Sequence, residues 1–228
     1  MRILAISDEE LGNIYNPQIR ERFKHIDIAI SCGDLPYYYL EYIISMLDIN
    51  LYYVRGNHAR EVEFSIDGQK KSPWGGVDLH RKVVRDESGL ILAGVQGCLR
   101  YNNGPYQYTQ AGMWENVLSL VPRLLLNRIL FGKYLDIFVT HTSPWKIHDR
   151  TDRPHIGSKA FRWFNRVFQP AIHLHGHIHV YKNDEITETQ YQKTRIINAF
   201  GYKEIDIETL TCDGLSFASR QARHGRDE

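Results

Sequence analysis

Five short runs of this 228-residue chain carry side chains that bind metals or move protons: Asp8 with Glu10, Asp34, Asn57 with His58, His141, and His177 with His179. Each stands just past an apolar run. Carboxylates, a carboxamide oxygen and imidazoles suit a divalent transition metal better than a thiolate-seeking one, and no cysteine belongs to the set. One aspartate shared by two groups of ligands would serve a pair of ions, which at about 3.5 to 4 Å apart can clamp a phosphoryl group and generate its nucleophile. Coordination lowers the pKa of water from about 15.7 to near 7. That is on the order of 12 kcal/mol in nucleophile availability, more than any single side chain offers. His58 has no required place among the ligands and is free to meet a leaving-group oxygen as general acid.

The elements that must position these groups are legible in the hydrophobic pattern. "RILAIS", "DIAISCGD" and "LYYVRGNH" read as buried strands ending in polar residues, separated by helical runs at "NPQIRERFKHI", with Asn16 as cap and Pro17 in the first turn, and at "PYYYLEYIISMLD". Alternation of strand and helix implies a parallel sheet, which places ligands outside the carboxyl ends of its strands. "HRKVVRDESGLILAGVQGC" reads as a hairpin about Ser88-Gly89, and "RYNNGPYQY" as a loop on Gly104-Pro105. "TQAGMWENVLSLVPRLLLNRIL" predicts a helix interrupted at Pro122. "LDIFVT" is another strand, followed by a helix at "SKAFRWFNRVF", a strand at "AIHLH", and β patterns at "QKTRIINAF" and "KEIDIETL". One α/β domain over residues 1 to 218 is expected, with a loose polar tail over 219 to 228.

Composition sets outer limits. The chain has 28 Lys+Arg against 27 Asp+Glu, a balance that disfavours long nucleic acid and anionic membranes as partners but leaves room for a small charged cleft. Cys32, Cys98 and Cys212 are far apart and odd in number, so they read as reduced thiols in the cytoplasm. "MRILAIS" is too short an apolar run for a signal peptide, and no stretch approaches the roughly 20 apolar residues of a membrane span.

The ordered set of motifs resembles the calcineurin-like metallophosphoesterases, whose pattern is D-x-H, G-D, G-N-H followed by an acid, a lone histidine and G-H-x-H. The matching residues are Asp8, Gly33-Asp34, Gly56-Asn57-His58, His141 in "THTSP", and "GHIH" from Gly176 to His179. The resemblance implies a four-layer αββα sandwich of two mixed sheets flanked by helices. It implies Asp34 as the carboxylate bridging two metals, with Asn57, His141 and His177 on the second and Asp8 and His179 on the first. Expected activity is hydrolysis of a phosphomonoester or phosphodiester by a metal-bound hydroxide, on a small phosphorylated substrate or a phosphoprotein. Two departures stand out: Glu10 occupies the place of the histidine in D-x-H, and Ala59 that of the acid after G-N-H. Glu10 is a hard oxygen donor, as a ligand or through a water, and favours manganese, iron or magnesium there over zinc. Manganese and iron are the expected ions. The altered motif also leaves open a different class of function, a scaffold of the same fold that binds partners without catalysis.

Other polar residues divide less sharply. Asn57 and His58 can also meet substrate, and "RYNN" either presents Arg100, Tyr101 and Asn103 to a phosphate or is a loop. In "HLHGHIH" four histidines alternate, but if the strand runs to His175 and Gly176 breaks it, His173 and His175 belong to the layer beside the strand. "HDRTDRPH", with His148, Asp149, Asp152 and His155, reads equally as a solvated loop or as a lip over the site. Tyr37 to Tyr39 and Trp163 read as packing residues.

Overall fold

The computed structural model describes residues 1–65, 68–182 and 184–207; Cys212 and the expected polar tail lie outside them. The first half holds β1 (Arg2–Ser7), α1 (Ile19–Arg22), β2 (Ile28–Ser31), α2 (Tyr37–Leu47), β3 (Asn50–Tyr53), β4 (Glu63–Ser65), β5 (Gly68–Lys70), β6 (Gly76–Asp78), β7 (Val83–Arg85), β8 (Ile91–Val95) and β9 (Cys98–Leu99). The second holds β10 (Gln107–Tyr108), α3 (Gln110–Leu118), α4 (Val121–Phe131), β11 (Ile137–Thr140), α5 (Lys159–Phe168), β12 (Ile172–His175), β13 (Glu188–Tyr191), β14 (Thr194–Asn198) and β15 (Gly201–Asp206).

Two large sheets form, in the orders β15-β1-β2-β3-β6 and β13-β14-β12-β11-β8-β7. In each, parallel central strands are closed by an antiparallel partner: β15 beside β1 in the first, β13 and β7 at the edges of the second. Strand periodicity builds the layers. Ile3 and Ala5 of β1 join Ile137 and Val139 of β11 and Ile172 and Leu174 of β12 in a core shared by the two sheets. The alternate residues Leu4 and Ile6 pack with Tyr39, Leu40 and Ile43 of α2, whereas Phe138 of β11 packs with Phe161 and Phe164 of α5 and Met113 and Val117 of α3. Side chains two apart share a face, so one strand feeds two cores. The result is the helix, sheet, sheet, helix sandwich. No helix among the described residues is long and apolar enough to cross a membrane.

Local differences from the sequence reading have physical reasons. Asn16 does not cap α1; its Oδ1 accepts from the Gln18 N–H at 2.9 Å, forming an Asx turn that delays the helix to Ile19. The long amphipathic run breaks at Ser119-Leu120 rather than at Pro122, which sits in the first turn of α4, where its missing N–H would have had no helical partner. The strands β4, β5, β6, β10 and β13 have no counterpart in the hydrophobic pattern; β10 ends the run read as a loop and pairs only with β9, β4 and β5 pair only with each other, and β13 alternates exposed with half-buried positions at a sheet edge.

Candidate metal centre

All five chemical runs meet at one end of the sandwich, past the carboxyl ends of β1, β2, β3, β11 and β12. Backbone hydrogen bonds tie the strand ends together: the Asp8 N–H donates to the Gly33 carbonyl at 3.1 Å and the Gly176 N–H to the His141 carbonyl at 3.0 Å. Asp8, Asp34 and His141 each offer a ligand atom within 4.8 Å of one another. The close approach explains two motif glycines. A Cβ on Gly56 would lie 2.1 Å from Asp34 Oδ1, and one on Gly176 would lie 1.9 Å from Ser7 Oγ and 2.4 Å from Asp8 Oδ2. Asp8, Asp34 and His177 themselves hold left-handed backbone, with φ of 65°, 56° and 66°. Each such residue costs on the order of 1 kcal/mol, a strain that accumulates where side chains are aimed for a purpose.

Proton positions follow from the partners. His141 Nδ1 lies 2.9 Å from the carbonyl oxygen of Cys32, which only accepts, so Nδ1 carries a proton and Nε2 is the nitrogen that either takes a second proton or presents its lone pair to a cation. That Nε2 faces Asn57 Oδ1 at 2.9 Å and Asp34 Oδ2 at 3.1 Å. Asn57 is held in this orientation because its Nδ2 donates to the Tyr101 hydroxyl at 3.0 Å. Three acceptors therefore converge on one buried point. The electrostatics say the same: burial opposes charge on His141, yet Asp34 beside it raises the imidazole pKa to about 9. For Asp34, burial pushes upward, but His141 and the His58 N–H hold the carboxyl below its ordinary value. The pocket requires a positive charge, which a proton on Nε2 or a metal ion can supply.

Asp8 adds a second observation. Its Oδ2 accepts from the His177 N–H at 2.9 Å, while Oδ1 is buried with no hydrogen-bond partner. Only the His179 imidazole, 3.8 Å away, faces that oxygen, and a buried carboxylate oxygen costs several kcal/mol unless a cation meets it closely. The donor set of this centre thus fits a divalent metal, with Asp8, Asp34, Asn57 and His141 as holders.

The two histidines of "GHIH" lie at the margin of this group. His177 Nε2 is 2.9 Å from the Pro154 carbonyl, which leaves Nδ1 as the lone-pair nitrogen, and its ring is 4.8 Å from that of His141. Burial, and then the neighbouring His141, lower its pKa to about 4, so it is neutral near pH 7 and able to ligate. His179 Nε2 stands 3.8 Å from Asp8 Oδ1, and the Asp8 carboxylate raises its pKa. Its Nδ1 meets the Tyr181 hydroxyl at 2.9 Å and its ring stacks on Phe200 at 4.8 Å.

His58 anchors the site through its backbone, donating to Asp34 Oδ1 at 2.8 Å, while its side chain is exposed at the rim. Glu10 is turned away: its Oε2 accepts a hydrogen bond from the Tyr38 hydroxyl, and it is absent from the Asp8, Asp34 and His141 group. Arg100 lies in the loop beside Tyr101 and donates to the Gln107 carbonyl at 3.3 Å. The "HDRTDRPH" run packs on the site as a lip, with Pro154 on His177, the His155 ring 5.2 Å from that of His177 and Arg150 donating to the His179 carbonyl at 2.7 Å.

A family profile for calcineurin-like phosphoesterases matches residues 1–181. The chain belongs to this family. Among solved structures, TT1561 of Thermus thermophilus is similar at 14% identity and a TM-score of 0.56, covering 90% of this chain and 93% of that one. GAP50, the anchor in the inner membrane complex of Plasmodium, is similar at 13% identity and a TM-score of 0.49, over 87% of this chain and 70% of that one. The calcineurin-like phosphoesterase YfkN from Bacillus subtilis follows at 11% identity and 0.45, over 91% and 84%. No curated protein matches the chain. The first of these likenesses bears on the fold; the site stands on this chain's own residues.

Sequence reasoning missed the supports of the centre. Tyr181 and Phe200 reach it from separate loops with nothing in their local sequence to mark them, and in the run read as a possible lip it is the Pro154 backbone carbonyl, not a side chain, that meets His177.

Proposed function

We propose that this chain is an enzyme that hydrolyses a phosphomonoester or phosphodiester at a two-metal centre held by Asp8, Asp34, Asn57, His141, His177 and His179. The observation that carries the reading is the convergence on His141 Nε2 of Asn57 Oδ1 at 2.9 Å and Asp34 Oδ2 at 3.1 Å, at a point that demands a cation. Divalent ions at such a centre supply an acidified water and a clamp for phosphoryl oxygens. The chain's own residues do the rest. The Cys32 carbonyl holds a His141 proton on Nδ1, so that Nε2 is the nitrogen a cation would meet in place of a proton, and the Pro154 carbonyl holds the His177 proton on Nε2 and frees its Nδ1. Tyr101 holds the Asn57 oxygen inward. His58, exposed at the rim with its backbone fixed on Asp34, delivers the proton to the departing alcohol oxygen. Manganese and iron are the proposed ions, because the donors are carboxylate and carboxamide oxygens with imidazoles, and thiolates are absent. The substrate is a small phosphate ester or a phosphoprotein, and the setting is the reducing cytosol, in keeping with the free, buried Cys32 and Cys98.

A second reading, a partner-binding scaffold without catalysis, is favoured by one feature, the engagement of Glu10 by Tyr38 in place of a motif histidine. Metal-stripped protein reloaded with manganese, iron or zinc and assayed on nitrophenyl phosphate and bis-nitrophenyl phosphate separates the two. Metal-dependent turnover that disappears in Asp34→Ala is expected. Full occupancy of the centre with no turnover on either ester overturns the enzyme reading in favour of the scaffold.

A further inference from the structure

A groove of about 540 Å³ along α5 shares no lining residue with the metal centre. Its walls are aromatic. Trp114 and Trp163 stand 5.1 Å apart between centroids, inclined at 56°, and the Arg162 guanidinium lies between two rings, 5.7 Å from Trp145 and 5.4 Å from Tyr191. Its charge has one sign: Lys159, Arg162 and Arg166 line it, and no carboxylate among the described residues does. Lys159 and Lys146 crowd the same Trp145 ring, at 5.3 and 4.7 Å from its centroid.

Cation–π contacts of exposed lysines and arginines contribute only about 0.5 to 1 kcal/mol each. That gain does not account for several like charges gathered around one groove on a chain whose overall balance is 28 against 27, because their mutual repulsion works against it. An anion entering the groove relieves the repulsion, and the half-buried Trp114 and Trp163 in its lining offer apolar surface to a flat ring. A ligand with both parts is a nucleobase carrying phosphate. A long single strand needs a basic track extending well past one groove, which this balanced chain does not supply.

We propose that the groove binds a free nucleotide, with its phosphates on Lys159 and Arg166 and its base against the indole wall. The two cations are exposed, so reversing either charge leaves the fold intact. Calorimetric titration and indole fluorescence of the full chain, with chelator present so that the metal centre plays no part, test the assignment against adenosine triphosphate, inorganic tripolyphosphate and a short thymidine oligonucleotide. One equivalent of adenosine triphosphate is expected to bind with a change in indole emission, at least about tenfold more tightly than tripolyphosphate, and Lys159→Glu or Arg166→Glu to weaken it by about tenfold or more, each such step being about 1.4 kcal/mol. Asp34→Ala is expected to bind unchanged. No binding at millimolar nucleotide, equal affinity for tripolyphosphate, loss of binding in Asp34→Ala, or a clear preference for the oligonucleotide would each overturn the proposal.

Discussion

His173 and His175 sit on the same strand that delivers His177, at the same two-residue spacing, and yet the two sets of imidazoles live under opposite rules. Behind the strand, His173 packs against Phe138 and Phe161, and its nitrogens are used by Thr140 and Asn165 at 2.8 and 2.7 Å. His175 shares a 2.8 Å contact with His148, whose other nitrogen meets Thr189 at 2.9 Å. Every nitrogen there has a neutral partner, and burial pushes the pKa of His173 down to about 3 and that of His175 well below its ordinary value. Past the end of the neighbouring strand β11, His141 is as deeply buried, but carboxylates face it and its pKa rises. Burial alone therefore does not decide what a histidine does. What lies across from its second nitrogen decides, and Gly176, which no side chain can replace without striking Ser7 and Asp8, marks the boundary between the two environments.

The largest test of the contrast is Asp34→Ala, expected to bring turnover on any phosphate ester to background, since the residue faces His141 and anchors His58. Steady-state assays at saturating manganese check this. Next comes His58→Ala, for which metal content stays the same while kcat falls by about 10² to 10⁴, the usual contribution of a positioned proton donor. Metal analysis beside kcat separates that outcome from loss of a ligand. On the other side of the strand, His173→Ala removes a buried ring and its two hydrogen bonds and is expected to cost about 3 kcal/mol in denaturant unfolding, while the folded protein keeps its metal content.

The smallest effect concerns acid. An unfolded histidine titrates near 6.5 and His173 in the fold near 3, so between those values the unfolded chain holds a proton that the folded chain lacks. Stability from this group is fully present above about pH 6.5 and is lost as pH falls through the window, by about 2 kcal/mol at pH 5. His148, lowered to about 4 mainly by burial, adds in the same direction. Unfolding of metal-free protein between pH 7 and 5 should show the slope, and His173→Leu should lack its share. A flat profile would mean that the buried imidazoles are solvated.

Much of this division is legible in the residues alone. The parallel strands, the break at Gly176 and the convergence of Asp8, Asp34, Asn57, His141 and His177 on one end follow from apolar runs that stop at polar groups. Less legible is everything that depends on distant backbone. Glu10 stands in a motif position, but Tyr38, brought over on α2, takes its carboxylate. Tyr101 fixes Asn57 across 44 residues of sequence, and the Pro154 carbonyl sets the His177 proton from a polar run that reads equally as a solvated loop or as a lip. Periodicity reports which face a residue takes; it carries no information on which far loop will cover that face.

The central claim is that the strand ends, and not the histidines behind them, hold the ion. Metal stoichiometry and affinity measured on reloaded wild type, Asp34→Ala and His175→Ala test it most directly. Metal bound by the wild type and by folded His175→Ala, and lost from folded Asp34→Ala, is the predicted result. Retention by Asp34→Ala at wild-type affinity, or loss from a folded His175→Ala, would contradict it.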